Sequence, residues 1–164
     1  MGRRKIIPDT AVYDVVRHLL MEEGEKAATF GAVARATGLA GATLVQRFGS
    51  QQGMLRGALA EAWDRLDAAL DPAEAEGKGP VAILKVLAAA QPAIPALYLA
   101  CRRDAALRAR AAGWRAALER RLAPRLGGGR KGARAAAILV AAWMGQMLAG
   151  GDGFRLKDAA RRPD

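Results

Sequence analysis

An all-α fold is predicted for this 164-residue chain. Apolar residues recur at three- and four-residue spacing in nearly every segment, and no run alternates polar with apolar residues as a half-buried strand does. The interruptions fall at Gly and Pro, in "TGL", "DPAEAEGKGP", "QPAIP" and "GGGRKG".

The elements follow in order. A first helix starts after Pro8, with Asp9 or Thr10 as N-cap, and runs to about Glu23. Val12, Val15, Val16, Leu19 and Leu20 form its apolar face, and Gly24 closes it. The single histidine, His18, lies off that face and reads as structural. Thr29 caps a second, short helix, "FGAVARA". A third covers roughly residues 40–47. Ser50 caps a fourth through "QQGMLRGALAEAWDRLDAAL", whose face is Leu55, Leu59, Ala62, Trp63, Leu66 and Leu70. Residues 71–80 read as a linker-like loop. Pro80 opens a helix to about Ala90, another begins near Pro95, and a long one over 104–123 carries Leu107, Ala111, Trp114, Leu118 and Leu122. A last strong helix is expected over 132–149.

Composition narrows the class. Hydrophobic residues make up 52% of the chain, enough for a core. One cysteine excludes an intramolecular disulfide and a cysteine-based zinc site, and it suits a reducing cytoplasm. Cys101 itself reads as small buried filler. The apolar windows 86–101 and 135–148 fall short of the ~20 residues of a membrane span, so a cytoplasmic protein with no membrane partner is expected. The net charge of +10 is unevenly placed. Residues 1–70 hold nine basic and eight acidic side chains, whereas 102–134 hold eleven basic against Asp104 and Glu119. Arginines on a helix often form a solvated face, so the excess is weak evidence for nucleic acid. With one His, no paired carboxylates in an apolar setting, no phosphate loop and no metal-ligand spacing, no enzyme, metal site or cofactor is expected.

The informative stretch is "TFGAVARATGLAGATLVQRFGS", residues 29–50. A helix-turn-helix needs a small residue inside its first helix, met by Ala34, and a residue tolerant of positive φ at the turn, met by Gly38. It also needs apolar pins beyond the turn, met by Leu39 and Leu44. On these residues, 9–68 resemble the DNA-binding domain of the TetR family of bacterial transcriptional regulators. That resemblance implies a basic arm (1–8), a three-helix head with a helix-turn-helix (9–68), and a C-terminal helical ligand-binding and dimerisation domain (69–164). It also implies a homodimer on a palindromic operator in double-stranded DNA, a small-molecule effector, and helix four as the rod between head and body. The family commonly has Tyr, His and Lys where this chain has Val45, Arg47 and Gln51, and Ser where it has Ala40.

Expected DNA contacts are therefore Arg3, Arg4 and Lys5 of the arm, the hydroxyls of Thr29 and Thr43, and Arg47, with Gln51 at the usual Lys position. Gln46 suits adenine, and Ala40, Ala42 or Val45 suit thymine methyls, with Gly41 allowing close approach. In the C-terminal half, "ARAAAILVAAWMGQML" is apolar on nearly every side, which points to a twin subunit as its second cover. Ala135, Ile138, Leu139, Ala142, Trp143 and Gln146 are the expected dimer residues. Tyr98, Cys101, Trp114, Trp143 and Met144 are the expected pocket residues, on the strength of the resemblance. The rival reading is a helical ligand-binding or protein-interaction module whose helix-turn-helix has lost its DNA affinity.

Overall fold

The computed structural model describes residues 7–91 and 93–150. The expected arm residues Arg3, Arg4 and Lys5 lie outside them. Every regular element among the described residues is helical, as predicted. The chain divides into two compact units, Met1–Ala62 and Trp63–Asp164. The division falls within the fourth helix, where the sequence suggested a boundary after Ala68.

In the first unit, α1 (Asp9–Glu23) is followed by a 3₁₀ turn (Glu25–Ala27), α2 (Phe30–Thr37), α3 (Gly41–Phe48) and the start of α4 (Gln51–Ala68). Neither Asp9 nor Thr10 caps α1. Pro8 occupies the N-cap in extended geometry, and its carbonyl accepts from the amides of Ala11 and Val12. Asp9 sits one step later, in the first turn, where its charge opposes the helix dipole. Val12 and Val16 of α1, Val33 of α2, Leu44 of α3 and Met54 and Ala58 of α4 are wholly buried in one core. Burying each large aliphatic side chain contributes about 1.5–3 kcal/mol. Arg17 binds α1 to α4 by donating to the Ala58 carbonyl at 3.2 Å and to Glu61.

The second unit comprises the end of α4, α5 (Leu70–Glu76), α6 (Pro80–Ala90), α7 (Ile94–Ala100), α8 (Ala105–Leu122) and α9 (Gly129–Ala149). Two 3₁₀ turns, Cys101–Arg103 and Ala123–Leu126, flank α8. The expected loop over 71–80 is in its first half a helix. Pro72 lies in the first turn of α5, where no amide needs an intrahelical acceptor, and Leu70 and Ala73 are buried. The last helix starts three residues earlier than expected. Gly127, Gly128 and Gly129 take up the reversal with positive φ, leaving Arg130 and Lys131 helical. At 21 residues, α9 is long and apolar enough to cross a membrane by length and composition, unlike the shorter window expected from the sequence. The stripe expected on α8 (Leu107, Ala111, Trp114, Leu118, Leu122) is buried throughout.

Candidate functional site

The turn between α2 and α3 is built from side chains as much as from backbone. Thr29 caps α2 by accepting from the Ala32 amide at 3.1 Å. At the other end the Thr37 hydroxyl donates to the Val33 carbonyl at 2.7 Å, and its oxygen accepts from the Leu39 amide at 3.3 Å. Gly38 has φ 75°, the left-handed geometry in which a Cβ is strained, and its amide returns to the Ala34 carbonyl. Ala40 then stands at the N-cap of α3 with no side chain able to cap it. The sequence already implied this loss, which costs about 1 kcal/mol.

With so weak a start, α3 is held by what it buries, and the only wholly buried side chain it contributes is Leu44. Ala40, Gly41, Ala42, Val45 and Gln46 are exposed, Val45 to 47%. Thr43 is half-buried, as are Thr29 at the start of α2 and Gln51 at the start of α4. Arg47 is exposed as well, and the other exposed side chains of α3 are uncharged.

Arg47 is engaged within the unit. Its Nη2 donates to the Ile7 carbonyl at 2.7 Å, and its Nε lies 3.1 Å from Asp9 Oδ1. The sequence could not announce this pairing, because the partners are some forty residues apart.

Four of the eleven basic side chains over 102–134 have acidic partners among the described ion pairs. Arg110 pairs with Asp64 and Asp67, Arg121 with Asp71 and Glu74, Arg125 with Glu74, and Arg115 with Glu119. Asp64, Asp67, Asp71 and Glu74 recur at three- and four-residue steps, a helical stripe that is readable in the sequence. Hydrogen bonding from Arg121 holds the Glu74 carboxyl below the usual carboxylate range. Arg120, Arg130, Lys131 and Arg134 remain exposed.

Three of the expected pocket residues come together. Trp63 stacks edge-on against Tyr98 at 4.9 Å and lies 5.7 Å from Trp114, and its indole N–H donates to Cys101 Sγ at 3.2 Å. Trp63 belongs to this group, although the sequence assigned it only to the apolar face of the fourth helix. The Tyr98 hydroxyl donates to the Ala111 carbonyl at 3.0 Å, and burial pushes its pKa up to about 12. Burial also raises that of the Cys101 thiol. Trp114 Nε1 is buried without a hydrogen-bond partner among the described residues. A buried unmatched donor costs about 1–3 kcal/mol. Trp143 is buried and Met144 half-buried on α9, and among the described residues neither makes a ring contact with this group.

The expected dimer face divides. Leu139 and Trp143 are core residues, Ala135, Ala142 and Gln146 are half-buried, and Ile138 is 50% exposed. The exposed stripe of α9 runs instead through Ile138, Ala141, Gly145 and Leu148, the last 60% exposed. These positions have the three-then-four spacing of a helix-packing seam. Among the described residues no three His, Cys, Asp or Glu side chains gather where they could hold a metal ion. Compared with known proteins, the sequence matches no family model and no curated relative.

Proposed function

We propose that this protein is a sequence-specific DNA-binding regulator of the TetR type, a ligand-responsive repressor that reads a palindromic operator as a cytoplasmic homodimer. The observation that carries the reading is α3. It buries Leu44, follows a left-handed turn at Gly38, and exposes Ala40, Gly41, Ala42, Val45 and Gln46. Small residues favour close approach to a major-groove floor, the Gln46 amide matches adenine's donor–acceptor edge, and Val45 and the alanines match thymine methyls. Phosphate contacts fall to the arm residues Arg3, Arg4 and Lys5, to Thr29 and Thr43, and to amides at helix N-termini.

The exposed stripe on α9 supports a twin subunit as its cover, since an isolated apolar seam of this length is costly to leave in water. The unmatched Trp114 N–H supports an effector that carries a hydrogen-bond acceptor on a largely apolar body. α4 contributes to both units, so displacing it would carry effector binding to the paired α3 helices.

Selection from a random duplex library with the purified protein tests the reading. Recovery of one palindrome, with half-sites about one DNA turn apart (~34–36 Å), is expected. Affinity for it should fall ~10³–10⁵-fold between ~50 and ~200 mM salt for a dimer making ~6–10 phosphate contacts. No enrichment, or a flat salt response, would instead favour a helical ligand-binding or protein-interaction module. The engagement of Arg47 by Asp9 is the observation on that side.

A further inference from the structure

We infer that α9 pairs with the α9 of a second copy in antiparallel orientation, and that Arg130, Lys131 and Arg134 set this orientation by lying over the C-terminal end of the partner's helix. The pairing rests on the homodimer reading above and does not depend on DNA binding.

Three features of α9 run against what a helix favours in isolation. Arg130 and Lys131 stand in its first turn, with Arg134 one turn further on, where the positive pole of the helix dipole repels cations. The first turn has no acidic residue and the last turn no basic one, and among the described residues no acidic side chain pairs with the three cations. Gly145 lies inside the helix although glycine is a poor helix former, and a Cβ there would meet nothing within 4 Å. Packing among the described residues therefore gives no reason for a glycine at that position. Ile138 and Leu148, large and apolar, are 50% and 60% exposed.

One arrangement accounts for all three. At ~3.6 residues per turn, the cations share a sector of about 100° with Ile138, Ala141, Gly145 and Leu148. The exposed face is thus cationic at its N-terminal end and apolar beyond. A second copy laid antiparallel and centred on Ala141 sets the stem of Arg134 along the partner's Leu148, and Ile138 over the gap at the partner's Gly145. Arg130 and Lys131 then reach the end of the partner's α9, the negative pole at which cations are stabilised. Each copy supplies the charge that the other helix lacks. In this register the two Arg134 positions lie ~21 Å apart along the helix axis, well beyond the ~8 Å Debye length. A parallel pair would instead gather the cations of both copies at one end, where they repel.

Sedimentation of the full chain without DNA tests the pairing. The wild type should form a dimer whose Kd rises about 10-fold between ~50 and ~500 mM salt, because opposite charges are being screened. Replacing Arg130, Lys131 and Arg134 together by Ala should raise Kd about 10–100-fold, since each lost contact occurs twice in a two-fold dimer. Dimers that are indifferent to these changes, or that tighten with salt or with the triple replacement, would overturn the antiparallel pairing. Gly145→Leu, which meets nothing inside the described chain, should keep its helix content by circular dichroism yet raise Kd at least about 10-fold. An unchanged Kd in that variant removes α9 from the interface and leaves the homodimer reading standing.

Orientation is read by mixing Arg134→Cys with Leu148→Cys and treating the mixture with a short bis-maleimide. Cys101 is buried and should not react. A cross-link joining the two variants is expected, and one within Leu148→Cys alone would show parallel helices. A wild type that stays monomeric defeats this pairing and the homodimer reading together. Should that monomer sediment with phosphatidylcholine–phosphatidylserine vesicles, the face belongs to lipid instead. Failure to select any duplex, with these results intact, would count against DNA binding alone.

Discussion

Replacing Leu44 by Ala should release α3 from the first unit, while the same replacement at its neighbour Val45 should not. Leu44 has no exposed surface, so the truncation removes three fully buried carbon groups at ~0.8 kcal/mol each, or about 2.4 kcal/mol of transfer free energy. The surrounding core (Val12, Val16, Val33, Met54) comes from three other helices and cannot close fully on the gap, which moves the expected loss to about 3–4 kcal/mol. Val45 is nearly half exposed, and Ala is the better helix former, so Val45→Ala should stay within about 0.5 kcal/mol of the parent. Urea unfolding followed by far-UV circular dichroism gives both values, and amide exchange across residues 41–48 localises the effect to α3. On the selected duplex, Leu44→Ala should lose binding, whereas Val45→Ala should keep its fold and change its preference at thymine positions. Equal stability losses at the two sites, or a loss below about 1 kcal/mol at Leu44, would refute the claim that one buried side chain holds the exposed face in place.

Gly53→Ala should damage the α3–α4 junction, because a Cβ there would lie 2.4 Å from the Phe48 carbonyl oxygen and a backbone atom cannot swing aside. The strain, about 1–3 kcal/mol, should outweigh the ~1 kcal/mol that Ala gains in a helix, and thermal unfolding reads the balance; a stabilised variant would count against the close approach. In an alkaline titration followed by tyrosinate absorbance, Tyr98 should ionise near its raised value of about 12. The unfolded chain ionises near ~10, so the stability held by neutral Tyr98 is present below that pH and is lost as pH rises toward about 12, a slope that Tyr98→Phe should reduce, leaving the part due to Tyr13 and Cys101, whose pKa values are also raised. An undiminished slope in the variant would reject burial of Tyr98 as a source of it.

Much of the first unit was legible because its signals are local. Thr29 and Ser50 as caps and Gly38 at the turn each act within four residues of the position they control, and Leu44 shows as the pin by its place after that turn. Local signals mislead where they conflict with burial and charge pairing. Pro72 and Gly77 spell a loop, yet Leu70 and Ala73 are buried and Arg121 and Arg125 draw in Asp71 and Glu74, so α5 forms. On α9 an all-round apolar pattern carries no mark of which side the core takes. Periodicity therefore could not separate Leu139 and Trp143, which are buried, from Ile138 and Leu148, which are not.

The sequence by itself determined the helical class, the order of the helices and the short turn that displays α3, since helix propensity, capping and positive φ depend on adjacent residues. Only the tertiary structure decided which charges are neutralised and which apolar faces stay open. It sets Arg47 against Ile7 and Asp9 across some forty residues, and Arg110, Arg121 and Arg125 against the acidic stripe of α4 and α5. Such pairings exist only once the chain has folded, because the Coulomb energy of two side chains depends on their separation in space and not on their separation in sequence.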